Sequence, residues 1–167
     1  MTFNVWPATV AEESVLGDFL KLIADAGSVR GRSVLLVGQS SWTRTTLLTR
    51  ASGRLGLSVL PLGVEFSRRA ALLTRRQRPL QAATLLQGIV DEAFSGSSIA
   101  VIDRLEVLFD RSLRLDALDA IKRLAHGRTV VAAWPGQYGN GRLRYAPAGH
   151  PEHCDHAAAG CLIHHLS

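Results

Sequence analysis

Hydrophobic and polar positions follow two different periods along this chain. Residues 11–26 place apolar side chains on a helical stripe with most charges opposite, which predicts an N-terminal amphipathic helix. Residues 33–37 form a short apolar run that is typical of a strand buried on both faces. The helical period returns at residues 43–55, so a strand followed directly by a helix is expected here.

The same pattern continues to residue 147. The predicted strands are residues 58–64 (weakened by Pro61), 98–103 and 129–134, with an edge strand at 143–147. The predicted helices are residues 65–74, 80–94 and 113–126. Because strands alternate with helices, we expect an α/β fold, a three-layer sandwich around a mostly parallel sheet.

Length and composition indicate one folded domain. A chain of 167 residues can build one hydrophobic core and is short for two. A hydrophobic fraction of 47% and a mean hydropathy of +0.12 exclude a disordered chain. Since no apolar stretch approaches the length of a membrane span, a cytoplasmic protein without membrane contact is expected.

A phosphate-loop motif with substituted positions follows the first strand. The motif reads G-x-x-x-x-G-K-[ST] between a strand and a helix, and its backbone N–H groups bind phosphates. Gly38 and Thr45 match it, whereas Thr43 replaces the second glycine and Arg44 replaces the lysine. The residues predicted to bind nucleotide are Gly38, Gln39, Ser40, Ser41, Trp42, Thr43, Arg44, Thr45 and Thr46.

The two substitutions change the chemistry that the loop offers. Arg44 keeps a positive charge, but its planar guanidinium is not equivalent to an ammonium group. Thr43 adds a branched side chain where glycine lets the backbone approach a phosphate closely. The structural alternative is an ordinary strand-to-helix turn in which Ser40, Ser41 or Thr43 caps the helix.

Asp103 ends the predicted strand 98–103, as the Walker B carboxylate does in P-loop proteins. Thr45 and Asp103 are therefore predicted to hold magnesium, with ATP as the nucleotide. Arg104 stands where many hydrolytic relatives carry a glutamate, and Glu106 is the nearest one. Catalytic residues stay unassigned, with Asp103 and Glu106 as weak candidates. These features predict one P-loop NTPase-like domain over residues 1–152.

The positive charge of the chain comes almost entirely from arginine. The formal net charge is +5, and all but Lys21 and Lys122 of the 19 basic residues are arginines. A cluster within residues 68–78 suits contact with DNA phosphates or with the nucleotide of a neighbouring subunit. Its members are Arg68, Arg69, Arg75, Arg76 and Arg78. The alternative is a solvated helix face balanced by Glu65 and other acids.

Residues 153–167 read as a separate tail rich in histidine and cysteine. Five of the six histidines and both cysteines lie after residue 149. Zinc takes mixed Cys/His ligand sets, but the spacing of Cys154 and Cys161 matches no standard zinc finger. A polar tail with reduced cysteines is therefore favoured over a zinc site.

Four stretches together resemble a known family: residues 36–48, residues 62–69 followed by 74–80, residues 102–109, and residues 129–136 followed by 145–152. They resemble the BrxF family, the small P-loop proteins of bacteriophage-exclusion (BREX) type 3 defence systems. The resemblance implies a bacterial cytoplasmic protein with an ATPase-like fold and other phage-defence proteins as partners. The family motif extends to Gly38, Thr45 and Asp103, but not to Thr43 and Arg44.

Three hypotheses about function follow. The first is a degenerate P-loop ATPase-like subunit of a phage-defence complex, which binds nucleotide weakly or acts in nucleotide-gated assembly. The second is an ATP-independent DNA-binding or scaffold module that uses the arginine-rich surface. The third is an NTPase completed in trans, in a homo-oligomer whose neighbouring subunit contributes Arg75, Arg76 or Arg78.

Overall fold

A computed structural model of the protein describes residues 9–28, 32–38 and 40–167. Gln39, one of the residues predicted to bind nucleotide, lies outside them. The helices are α1 (Val10–Gly27), α2 (Ser41–Arg54), α3 (Leu62–Ala70), α4 (Gln77–Ala93) and α5 (Ala117–Leu124). Two 3-10 helices, Leu105–Phe109 and Arg111–Leu113, precede α5. The strands are β1 (Ser33–Val37), β2 (Leu60–Pro61), β3 (Ile99–Asp103), β4 (Thr129–Ala133), β5 (Gln137–Gly139), β6 (Arg142–Tyr145), β7 (Cys154–Ala157) and β8 (Cys161–His165).

Five strands form a parallel sheet in the order β2-β3-β4-β1-β8. The central strand β4 pairs with both β1 and β3, with Val34 opposite Val131 and Val101 opposite the same residue. The strands β5, β6 and β7 form a separate antiparallel sheet. All parallel strands therefore end at one edge of the larger sheet, where Gly38 follows β1.

Helices pack on both faces of the parallel sheet. Because side chains alternate along a strand, Val34 and Leu36 join a buried cluster with α1 and α2. Leu35 and Val37 join a second cluster with α3, α4 and α5 on the opposite face. The predicted α/β class with a mostly parallel sheet is confirmed, and the arrangement is compatible with a three-layer sandwich.

The prediction of a strand over residues 58–64 is correct only for its two central residues. Only Leu60–Pro61 pairs with β3, and the chain enters α3 at Leu62. Pro61 lacks an N–H group for the ladder, so it stands at the end of an edge strand. Leu62 and Phe66 are then buried one helical turn apart, which anchors α3 on the sheet.

The segment 153–167, interpreted from the sequence as a tail, pairs with the rest of the chain. β7 pairs with β6, while β8 runs parallel to β1 along all five of its residues. Leu162 and Ile163 supply apolar side chains to the two faces of the sheet. In the part of the chain that the structure describes, no helix is long and apolar enough to cross a membrane.

Candidate functional site

The candidate site lies where the direction of chain crossing changes within the sheet. From β1 the chain crosses to β2 at one edge, and from β4 it continues to β8 at the other edge. β1 and β4 are neighbours, so the crossing direction changes at their carboxyl ends. In open α/β sheets this switch point is the usual place for a ligand. Gly38 follows β1 there, and Asp103 ends β3 at the same edge.

Gly38 is required by the fold itself. Its φ of +98° lies in the region that favours glycine. A Cβ atom at this position would overlap the carbonyl oxygen of Leu166, because the chain beyond β8 passes directly beside it. Leu166 N–H also donates to the Val37 carbonyl at 2.8 Å. The first glycine of the motif therefore has a packing role that needs no ligand.

Helix α2 begins earlier than a phosphate loop would allow. Ser40 is its N-cap, and the Ser40 Oγ accepts a hydrogen bond from Thr43 N–H at 3.2 Å. The Ser40 carbonyl accepts from Arg44 N–H, also at 3.2 Å. Ser41, Trp42 and Thr43 thus form the first helical turn, where the motif has a glycine-rich loop. Two amides that a phosphate loop aims at its ligand are used within the helix instead.

This geometry matches the capping alternative at Ser40 and follows from the substitution at position 43. Without a second glycine, no residue between positions 40 and 44 favours a left-handed or strained backbone. The remaining N-terminal dipole of α2 still favours an anion. The arrangement therefore offers a helix terminus, rather than a wrapped loop, to a phosphate.

Arg44 turns back toward the start of the loop. Its side chain is buried, with 8% of the residue exposed, and Nη1 donates to the Gly38 carbonyl at 3.0 Å. Burial lowers the pKa of Arg44, while the carboxylates of Asp103 and Glu106 act in the opposite direction. The guanidinium stays charged because its ordinary pKa is so high. A phosphate would therefore compete with the Gly38 carbonyl for this donor.

Thr45 and Asp103 meet across the width of β4. The Thr45 hydroxyl donates to Asp103 Oδ2 at 2.6 Å, although the two residues lie 58 positions apart. The other carboxylate oxygen, Oδ1, accepts from Arg104 N–H at 2.8 Å. Arg104 reaches this position through a left-handed backbone, with φ 60° and ψ 57°. The two predicted magnesium ligands are thus adjacent, and Asp103 is almost fully buried.

The donor set at this point fits magnesium. A hydroxyl and a carboxylate oxygen are ligands that Mg²⁺ takes, and protein sites for it commonly use one or two such groups together with substrate phosphates. No cluster of three or more His, Cys, Asp or Glu side chains suited to a metal occurs among the described residues. Thr45 and Asp103 would therefore share the ion with phosphate oxygens and water.

The remaining predicted site residues are more exposed. Trp42 is 76% exposed at the first turn of α2, and the Thr46 hydroxyl donates to the Trp42 carbonyl at 2.8 Å. Glu106 lies exposed on the 3-10 helix Leu105–Phe109, close enough to Arg44 to act on its charge. No contact between described residues joins Glu106 to Thr45 or Asp103, so it stays a weak candidate.

The arginine cluster divides into paired and unpaired members. Arg68 and Arg69 form ion pairs with Glu65 and Glu92. Arg78 donates from Nε to the Ala70 carbonyl at 3.1 Å. Arg75 and Arg76 are exposed in the turn between α3 and α4, without a hydrogen bond or ion pair to any described residue. Among the described members of this cluster, these two have no side-chain donor engaged by another described residue, so all of their donors are available to an external anion.

The histidines and cysteines of residues 150–165 fall into two groups: His150, His153, Cys154 and His156 line one cavity, whereas Cys161, His164 and His165 lie on β8. His153 lies beside the Ala146 carbonyl, and His156 faces Asp116 at 3.9 Å. Cys154 and Cys161 are free thiols, and burial raises the pKa of each. Cys154 pairs with Tyr145 in the small sheet while Cys161 pairs with Ser33 in the large one.

β8 and the residues after it border the site, which the sequence analysis missed. His165 and Leu166 lie directly against Gly38. The available signal was the short run Cys161-Leu162-Ile163, which resembles a strand but stands among polar residues. Its partner β1 lies more than 120 positions away, so no local pattern announces the pairing.

Comparisons with protein-family models, with curated proteins and with solved structures find no match to this chain.

Proposed function

We propose that this chain is a degenerate P-loop ATPase-like subunit of a bacterial phage-defence (BREX) system, which binds nucleotide weakly or acts in nucleotide-gated assembly. The observation that carries the proposal is the 2.6 Å hydrogen bond between the Thr45 hydroxyl and the Asp103 carboxylate. A hydroxyl on the helix after the first strand and a carboxylate at the end of a second strand are the magnesium ligands of P-loop proteins.

Three further observations support a binding role over rapid turnover. The pair lies at the carboxyl edge of the sheet, near the point where the crossing direction changes, and ligands bind at that point in such sheets. Arg44 supplies one buried positive charge at the same end of the sheet. No glutamate adjoins Asp103, and the Arg104 N–H occupies the second oxygen of this carboxylate. The site therefore offers charge and donors, but the described residues place no group to orient an attacking water.

Calorimetry with ATP and magnesium tests the proposal. A ligand that binds only the folded state raises its apparent stability, so a thermal shift at millimolar ATP is the second readout. Thr45→Val should abolish the binding heat, because it removes the hydroxyl and keeps the side-chain shape. Thr49→Val is the matched control: its hydroxyl donates to the Thr45 carbonyl on the exposed face of α2. No heat and no thermal shift with the unchanged protein would reject nucleotide binding.

The exposed Arg75 and Arg76 favour a second candidate, an ATP-independent DNA-binding module. Ala71 and Val107 line one cavity, so the beginning of the turn between α3 and α4 lies near the 3-10 helix that follows Asp103. Each phosphate contact lowers log K by about 0.9 per unit of log salt concentration. Replacing both arginines by alanine removes about two phosphate contacts. The slope of log K against log salt concentration should therefore become less steep by about 1.8. The control is the double change of Arg68 and Arg69, whose charges Glu65 and Glu92 already balance.

A further inference from the structure

A groove of about 470 Å³ runs between α1, α2 and the end of β8. Val15 and Leu47 contribute apolar side chains from the two helices, and Leu166 contributes one from the chain after β8. Trp42 also lines the groove, with 76% of its surface exposed. Exposing so much of an indole ring to water is unfavourable in free energy. Large exposed apolar groups beside a cavity are typical of binding sites.

Two of the charged residues that line this groove have partners, whereas no ion pair or hydrogen bond joins the Asp18 carboxylate to another described residue. Arg50 forms an ion pair with Glu13, and Glu12 accepts a hydrogen bond from Thr9 N–H at 2.8 Å. The groove therefore offers a largely apolar and aromatic surface whose residual side-chain charge is negative. A flat, weakly polar ligand fits this chemistry better than a polyanion does.

The groove is continuous with the candidate phosphate site. Leu166 lines the groove, and its carbonyl oxygen lies against Gly38 at the start of the loop. Thr43 and Thr46 line it from the first two turns of α2, one position on either side of Arg44 and Thr45. A ligand with phosphates at the N-terminus of α2 and a planar ring a few ångströms away would span both.

We infer that this groove binds the base of the nucleotide, stacked on the indole of Trp42. The inference rests on the proposed nucleotide binding and specifies how the ligand is held. Stacking on an aromatic side chain tolerates every base, because each base has a π face. Affinity at this site would then come largely from the base, which compensates for a phosphate loop with fewer available N–H groups.

Calorimetry with two probes, ATP and tripolyphosphate, separates the two parts of the ligand. Trp42→Ala should weaken ATP about tenfold and leave tripolyphosphate binding unchanged, whereas Trp42→Phe should retain most of the ATP affinity. Because Trp42 is exposed, neither change should disturb folding. Leu72→Ala is the control, since Leu72 is equally apolar and 87% exposed but lies in the turn after α3.

Two results would overturn the inference. If Trp42→Ala and the unchanged protein bind ATP with equal affinity, base stacking on Trp42 is rejected, although nucleotide binding itself is retained. An equal loss of ATP and tripolyphosphate would show that Trp42 acts on the phosphate end instead of the base. If the unchanged protein binds neither probe, the proposed nucleotide binding fails as well, so the two failures are distinguishable.

Discussion

Arg44 illustrates how one side chain can alter a motif. A lysine at this position reaches forward to the phosphates of a nucleotide. The guanidinium of Arg44 instead donates back to the Gly38 carbonyl and is buried. Together with the hydrogen bond from Thr43 N–H to the Ser40 Oγ, this contact gives polar groups of residues 38, 40, 43 and 44 partners without a ligand. A nucleotide must displace part of that arrangement, which explains why weak binding is proposed.

Restoring the motif should strengthen ATP binding. The double change Thr43→Gly and Arg44→Lys frees the backbone at position 43 and releases the Gly38 carbonyl from the guanidinium. We expect tighter ATP binding by about 1–3 kcal/mol, the range of charge-assisted hydrogen bonds, measured by calorimetry. Turnover should stay low because Arg104 remains beside Asp103. Unchanged affinity together with a lower melting temperature would instead identify the loop as a purely structural turn.

At the level of elements, the junction between β1 and β8 depends on Gly38. Gly38→Ala must place a methyl group where the Leu166 carbonyl lies, whereas Gly56 has a similar positive φ of 69° with open space around it. Gly56→Ala should therefore cost only the left-handed backbone, about 1–2 kcal/mol. We expect Gly38→Ala to cost about 1–3 kcal/mol more, the range for overpacking, in urea denaturation. Equal costs would show that the end of β8 yields freely.

The burial of His164 in β8 should make the free energy of unfolding depend on pH. Its ring lies 5.1 Å from that of Phe19, and burial lowers the pKa of His164 although Asp18 opposes this. In the unfolded chain the pKa is about 6.5, so acidification protonates the unfolded state first. The free energy of unfolding should thus fall as the pH drops below about 6.5 and level off below the folded pKa.

Urea denaturation one pH unit above and one below about 6.5 measures this effect. His164→Gln should reduce the difference between the two free energies of unfolding. The control is His126→Gln, since His126 is exposed just after α5. An undiminished pH dependence in the His164 variant would assign the titration to another group.

In the molecule as a whole, Trp134 joins the two sheets. It follows β4, is fully buried, and packs edge-on against Phe109 with ring centroids 5.2 Å apart. Its Nε1 donates to the Arg144 carbonyl of β6 at 3.0 Å. Gly136 must lack a side chain because a Cβ there would overlap the same carbonyl. The small sheet is therefore fastened to the end of the large one at this point.

Trp134→Ala and Trp42→Ala form a matched pair that differs mainly in burial. The first should cost about 3–5 kcal/mol of unfolding free energy, because it leaves a cavity between the sheets. The second should change stability by no more than about 0.5 kcal/mol, because Trp42 is largely exposed. Chemical denaturation measures both. A small cost for Trp134→Ala would mean that the small sheet contributes little to the folded state.

The segments that could be predicted closely are those with a strong local pattern. Residues 33–37 coincide with β1, and the predicted helix 11–26 differs from α1 by one residue at each end. β3 and β4 also lie within one residue of their predicted bounds. These strands are buried on both faces, so an uninterrupted apolar run identifies them.

The segments that could not be predicted are short strands defined by their partners. β7 alternates between half-buried and exposed residues, and β5 lies in a stretch rich in glycine. β8 has two histidines among its five residues. Their backbone groups are paired by strands distant in sequence, and such pairing leaves little trace in composition.

The sequence by itself determined the parallel α/β fold and the positions of Gly38, Thr45 and Asp103, because buried strands and turn residues impose local patterns. Only the tertiary structure decided that Thr45 and Asp103 meet, that Arg44 bonds to Gly38, and that β8 borders the loop. The physical reason is separation along the chain: hydrogen bonds and packing between distant residues depend on strand order. The early start of α2 is the exception, since one local cap at Ser40 decides it.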